Sequence, residues 1–359
     1  MNELNNNPLL VVAIVVGILF SIRALVRWWN KYDLNGKTVL ITGGSRGLGL
    51  VMARELIRKG AHLAICGRDE AGLERARKEL VDRGADVLAI PCDVTDREQV
   101  NQMVEAVRSR FGQIDVLINN AGAIAVGPME TMTIEDYEAA MKIHFWAPLY
   151  TTLALLPEMR QRHEGRIVNI SSIGGKVSPP HLLPYSASKF ALTGFSEGLR
   201  AELASYGIVV TTICPGLIRT GSPYNAVFKS QHRAEYTWFS LSDSLPIISM
   251  SAERAARQII AACQYGDGEV VLSMTAQIAA KFHDLFPGLT ATILAFFNTL
   301  LPEPGGIGTD RALGKDSYSS LSPSGLTALT DKAAIQNNQI VEEGATNINE
   351  VNNLMANKG

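Results

Sequence analysis

"VLITGGSRGLGLVMA", residues 39–53, runs from an apolar strand through a glycine-rich turn into a helix. Gly43, Gly47 and Gly49 allow tight turning and a close approach of the backbone to a ligand. The helix that begins near Leu48 offers unpaired N–H groups and a positive dipole end, a ready site for a pyrophosphate. The spacing is T-G-x-x-x-G-x-G, and its place after the first strand of a βα series separates it from an ordinary glycine turn.

The same rhythm continues along the chain. "TVLIT" (38–42), "AHLAIC" (61–66), "DVLAIPC" (86–92), "DVLIN" (115–119), "RIVNIS" (166–171), "VVTTIC" (209–214) and "EVVLS" (269–273) read as buried strands. Amphipathic stretches such as "DREQVNQMVEAVRSRFG" lie between them. Near-continuous apolar strands alternating with helices predict a parallel sheet covered on both faces, a doubly wound Rossmann α/β domain of about seven strands over residues 36–275. Residues 222–250 form a long insertion, the length expected of a lid or binding loop. Residues 276–301 read as an apolar helical extension. Beyond Pro302, Asn, Ser, Gly and Thr replace any periodicity, and the tail 302–359 is expected to be disordered.

At 359 residues, 47% apolar, 19% charged and net charge −2, the chain has no concentrated basic face, which excludes nucleic acid as a partner. Cys66, Cys92, Cys214 and Cys263 are widely spaced and read as reduced, buried thiols on the cytosolic side. The six histidines form no metal-binding pattern. The N-terminus differs from the rest. "LLVVAIVVGILFSI" (9–22) is an apolar run of 14 residues, about 21 Å as a helix, short of the roughly 30 Å hydrocarbon core. Extended through Trp28 and Trp29, with Arg23 and Arg27 reaching the headgroups, residues 1–31 become a single-pass anchor. The basic residues Arg23, Arg27, Lys31 and Lys37 follow the run, so the catalytic domain faces the cytoplasm.

The end of the second strand bears on the choice of dinucleotide. An NAD site wants a carboxylate there to hold the ribose 2′-OH, but "ICGRDE" puts Gly67 at that place and Arg68 after it. With Arg46 from the glycine loop, two guanidinium groups suit a 2′-phosphate, although Asp69 stands ready to neutralise Arg68 in part. The reading is NADP(H). Further on, "YSASK" sets Tyr185 and Lys189 four residues apart, on one face of a helix. A neighbouring ammonium stabilises a phenolate and lowers its pKa towards the working range of an acid/base. "NISSIGG" puts Ser172 at a strand end, thirteen residues before Tyr185. "CDV" (92–94), "INNAG" (118–122) and "CPGLIRT" (214–220) also close strands at their carboxyl ends, where open α/β sheets bind ligands.

Together these motifs resemble the short-chain dehydrogenase/reductase family over about residues 36–275, in the family's order. The resemblance implies Tyr185 as the acid/base, Lys189 as the group that lowers its pKa and holds the nicotinamide ribose, and Ser172 as the group that orients the carbonyl. It implies a dinucleotide lined by Gly43, Ser45, Arg46, Gly47, Leu48, Arg68, Asp93, Val94, Asn120 and Gly122, with Pro215, Gly216 and Thr220 closing around the nicotinamide. One position departs: relatives carry an asparagine, credited with holding a relay water, where this chain has His144. An imidazole there either holds that water, breaks the relay, or simply packs.

The resulting expectation is a membrane-anchored, NADPH-dependent carbonyl reductase of a lipophilic ketone or aldehyde, with the reverse alcohol oxidation as its counterpart. The competing expectation is a non-catalytic NADP(H)-binding redox sensor or scaffold at the membrane. Candidate partners are the lipophilic carbonyl or alcohol substrate, membrane lipid, and a second copy of the chain in a homodimer.

Overall fold

The computed structural model describes residues 8–29 and 31–340. The strands β1 (Thr38–Thr42), β2 (His62–Gly67), β3 (Val87–Pro91), β4 (Val116–Asn119), β5 (Gly165–Ile170), β6 (Ile208–Pro215) and β7 (Glu269–Leu272) form one parallel sheet in the order β7-β6-β5-β4-β1-β2-β3. The order reverses between β1 and β4, whose registers pair Val39 with Val116 and Ile41 with Ile118. In open α/β sheets ligands bind beyond the carboxyl ends of the strands at such a reversal.

Alternation along the strands divides the core into two layers. Val39, Ile41, Leu63 and Ile65 pack with Leu50, Met52, Leu56, Leu73 and Ile259 from the helices Gly47–Ile57, Glu70–Asp82 and Ala252–Tyr265. Leu40, Ala64 and Leu117 face the other way, against Val100, Met103, Leu155 and Leu203 from the helices Arg97–Phe111, Ala147–Arg162 and Leu183–Leu203. Asp96 caps Arg97–Phe111 by accepting from the Glu98 and Gln99 N–H groups. All four cysteines are free and buried.

Of the two expectations about the ends of the chain, one is not shown and the other changes. Pro8–Trp29 is a helix whose described apolar side chains, among them Val12, Ile18 and Leu25, are exposed. The side chains of Arg23, Arg27 and Trp28 lie outside the described residues. Among the described residues no helix is long and apolar enough to cross a membrane, so the anchor is not shown. The tail is not disordered between 302 and 340. Ala312–Leu313 pairs antiparallel with Val227–Phe228 of the 222–250 insertion, Arg311 reaches Asp136 at 3.3 Å, and Ala328–Gln336 is a helix. A polar composition that cannot build a core of its own still finds donors and acceptors on a surface already formed. The remainder of the expected disorder, 341–359, lies outside the described residues.

Candidate active site

The glycine turn is tied down from the neighbouring strand. Asn120, just past β4, donates its side-chain amide to the carbonyls of Thr42 at 3.0 Å and Gly43 at 3.1 Å. Its own N–H donates to Thr42 Oγ1 at 3.0 Å. Gly49 leans against the Gly43 carbonyl so closely that a Cβ would overlap it. Gly47 has a φ of +56°, a conformation suited to glycine. Ser45 lies under β2, and a Cβ on Gly67 would stand 3.0 Å from its hydroxyl. A side chain at 67 would have to push the Ser45 hydroxyl aside. Asp69 does not serve Arg68: it caps Glu70–Asp82, accepting from the Gly72 N–H at 3.1 Å. Arg68 instead lies 3.9 Å from Asp93, whose other oxygen accepts from the Thr95 N–H and hydroxyl. Arg46 is exposed. Gly43, Ser45, Arg46, Gly47, Leu48, Arg68, Asp93, Val94, Asn120 and Gly122 thus stand around the ends of β1 to β4.

The second group of candidates meets one strand further on. Tyr185 and Lys189 open the helix Leu183–Leu203 one turn apart. Lys189 is buried, its ammonium donating to the Ile170 carbonyl at 2.8 Å and standing 5.7 Å from the centre of the Tyr185 ring. Ser172, two residues past the end of β5, accepts from the Gly174 N–H at 3.0 Å, and a Cβ on Gly174 would meet the Tyr185 ring at 3.2 Å. Ser171 donates to the Lys189 carbonyl and fixes the helix against the strand. Gly216 is held by the Leu272 carbonyl, and Thr220 Oγ1 accepts from the Ser222 N–H.

Burial dominates the electrostatics of the pair. Burial pushes Lys189 down to about 7. Burial pushes Tyr185 up, and the hydrogen bond from Ser172 opposes that only in part. Desolvation disfavours both charges, so burial moves the phenol up and the ammonium down.

His144 lies in a π-helical turn, Lys142–Trp146, and is buried. Its Nε2 accepts from the Ala123 N–H at 3.2 Å, so Nδ1 carries the proton and donates to Ser188 Oγ at 2.8 Å. Ser188 in turn donates to the Tyr185 carbonyl at 2.7 Å. Both ring nitrogens are taken by protein, and burial beside the Lys189 charge holds the imidazole well below its usual pKa. Of the three readings of His144, packing is the one this geometry supports: it joins the Asn120–Ala123 turn to the helix of Tyr185, and its edge meets the Tyr185 ring at 5.3 Å.

Two features escape the sequence reading. A buried apolar cluster of Val126, Leu182, Phe228, Tyr236 and Phe239 packs against Tyr185 and Trp238, with Phe228, Tyr236 and Phe239 coming from the insertion and Tyr318 joining from the tail. Residues 336–340 cross the glycine turn, where the Gly47 N–H donates to the Asn337 carbonyl. No periodicity or motif in the tail marks either contact.

The short chain dehydrogenase family matches residues 37–227. A dehydrogenase/reductase SDR family protein 7-like from Anopheles gambiae is 39% identical over 203 residues, 55% of this chain and 64% of that relative's length. Dehydrogenase/reductase SDR family member 7B from Mus musculus is 33% identical over 285 residues, covering 78% of this chain and 87% of the relative. The crystal structure of an actinorhodin polyketide ketoreductase variant with NADPH superposes with a TM-score of 0.59 at 30% identity, over 66% of this chain and 95% of that one.

Proposed function

The chain belongs to the short chain dehydrogenase family and is an oxidoreductase of that type; within that class we propose that it is an NADPH-dependent carbonyl reductase of lipophilic ketones or aldehydes. The observation that carries this reading is the meeting of Ser172, Tyr185 and buried Lys189 beside the glycine cradle, at the carboxyl ends of the strands. NADP(H), when bound, supplies or accepts the hydride. The turn fits such a group: a Cβ at 43 would strike the Ala121 backbone and one at 49 the Gly43 carbonyl, so the backbone there stays bare, and Arg46 and Arg68 flank the place where Gly67 stands instead of an acid. Gly43, Ser45, Gly47, Leu48, Asp93, Val94, Asn120, Gly122, Pro215, Gly216 and Thr220 would hold the remainder. The NADPH carried by the similar ketoreductase supports the choice of cofactor.

In this reading the Tyr185 hydroxyl gives its proton to the substrate oxygen, and takes it back in the reverse direction. Ser172 donates to the same oxygen and orients it. Lys189, pushed down to about 7, exchanges its proton readily near neutral pH and can restore the phenol. The buried cluster of Phe228, Phe239 and Leu182 backs the half-buried Tyr185 and Trp238 and keeps bulk water from that side of the phenol. Attachment to a membrane, with this domain on the cytoplasmic side, is the proposed location. It is supported by the exposed apolar side chains of Pro8–Trp29 and of the helices Met274–Leu285 and Pro287–Asn298, where Ile278, Leu285, Leu289 and Phe296 face outward.

Tyr185→Phe tests the assignment. Turnover of a carbonyl panel should fall by roughly 10²–10⁴-fold while NADPH affinity stays unchanged. Activity above about a tenth of the parent's would take the acid/base role from Tyr185.

A further inference from the structure

Residues 336–340 lie on the glycine turn that the dinucleotide reading assigns to the pyrophosphate. The Gly47 N–H, at the start of the helix Gly47–Ile57, donates to the Asn337 carbonyl at 2.8 Å. The Asn338 amide donates to the carbonyls of Ser45 at 2.8 Å and Gly72 at 2.9 Å, and its oxygen accepts from Arg75 at 3.0 Å. The Gln339 amide nitrogen stands 2.7 Å from where a Cβ of Gly47 would be, in the space that glycine leaves open. Asn225, from the insertion, holds the oxygen of the same amide at 2.7 Å. Upstream, Arg54 donates to Asn337 Oδ1 at 3.0 Å and to the Gln336 carbonyl at 2.8 Å.

We propose that residues 336–340 form an autoinhibitory strap, seated in the pyrophosphate site and displaced by the arriving dinucleotide. The proposal rests on the dinucleotide reading of this site. The positive end of a helix attracts an oxygen, and here a neutral backbone oxygen from the chain's own tail takes the place of a phosphate oxygen. One N–H makes one strong hydrogen bond, so Asn337 and a phosphate cannot both be served by Gly47. The Gln339 side chain fills the gap through which a pyrophosphate must approach the turn. Anionic oxygens bind such donors more strongly than neutral carbonyls, which lets the cofactor win the exchange. Until it does, the measured affinity is reduced by the fraction of molecules whose strap is lifted.

Two measurements decide. In calorimetric titration with NADPH, Asn338→Ala combined with Gln339→Ala should bind about tenfold more tightly than the parent chain, as a loosened strap raises the competent fraction. A chain ending at Ile335 should bind at least as tightly as that double variant. Equal or weaker binding by these variants, with the parent chain still binding, overturns the strap alone. In the unaltered full chain, saturating NADPH should speed amide exchange at 336–340. Slower exchange there means the segment closes over the bound nucleotide, which also overturns displacement. If neither the parent nor the variants bind NADPH or NADH, the dinucleotide reading of the site fails and the strap goes with it.

Discussion

The central sheet and the tail from 303 to 340 hold together by opposite means. In β1 and β4 every residue is buried, and the packing is aliphatic on both faces. Burial of that kind is non-directional and contributes roughly 25 cal/mol for each Å² removed from water. The tail is attached by point contacts. His232 meets Ser317 at 2.9 Å, Thr237 meets Ser319 at 2.7 Å, and Thr330 donates to Asp243 at 3.1 Å while accepting from Ser244 at 2.8 Å. Each such bond is worth about 1 kcal/mol net and needs its partner already in position. A region fastened in this way opens at a small fraction of the global cost. The molecule thus pairs a rigid floor for the chemistry with a cover that can be lifted.

The largest effect that separates the two should come from the sheet. Ile41→Ala removes a fully buried side chain between two layers and should cost about 2–5 kcal/mol of global stability in denaturant unfolding. Thr330→Ala deletes two tail contacts and should cost about 1–2 kcal/mol, seen as faster amide exchange over 303–340 with the denaturation midpoint of the sheet unmoved. If Thr330→Ala shifts that midpoint as far as Ile41→Ala does, the tail is part of the cooperative core and the contrast collapses.

Acidity should act on the tail and spare the sheet. Asp243 is buried where the helix His232–Ser244 meets Ala328–Gln336, and desolvation pushes it up to about 7 despite the Thr330 bond and the charge of Arg219. Asp331 on the facing helix is likewise pushed up, to about 6. A carboxyl whose pKa is raised on docking favours the docked state while protonated. Below about pH 4 the docked and open states both hold the proton and nothing is lost. As pH rises towards 7, Asp243 ionises first in the state where the tail no longer covers it, and docking weakens by on the order of 2–4 kcal/mol, with the loss complete above 7. Exchange over 303–340, corrected for its intrinsic pH dependence, should therefore accelerate between pH 5 and 7, and Asp243→Asn should flatten that rise.

At the boundary between the two regions, Arg46→Ala with Arg68→Ala should weaken NADPH about 10–100-fold and NADH little, because only NADPH carries the 2′-phosphate. Equal losses would assign the arginines to the pyrophosphate or to the fold.

Why one region could be read from the sequence and the other could not follows from the same physics. Apolar runs such as "TVLIT" carry their own reason to be buried, and "TGGSRGLG" needs its glycines for steric reasons that hold in any setting. Helix spacing puts Tyr185 and Lys189 on one face, while the set with Ser172 is legible through the resemblance to the family's motifs. Asn337 and Asn338 are ordinary polar residues whose role depends on Gly47, Ser45 and Arg75, some 260 to 290 positions away. The directions of the Tyr185 and Lys189 shifts also depend on burial, which spacing does not report.

His144 should give the smallest effect, because it carries a polar link inside the rigid half. Its pKa is depressed on folding, so the folded chain keeps it neutral, and stability is lost only as pH falls below the ordinary value near 6.5. In the range where a reductase works it has no proton to exchange, since Ala123 and Ser188 hold both nitrogens. His144→Asn should therefore leave the shape of the kcat–pH profile unaltered between pH 6 and 8. At pH 8 it should cost about 1 kcal/mol of stability, the worth of a strained or lost link from the Asn120–Ala123 turn to Ser188. That cost should shrink in acid, where the buried imidazole becomes a liability to the parent and asparagine does not. A limb near pH 6–7 that disappears with the substitution would return His144 to the proton path and make this part of the floor as responsive as the tail.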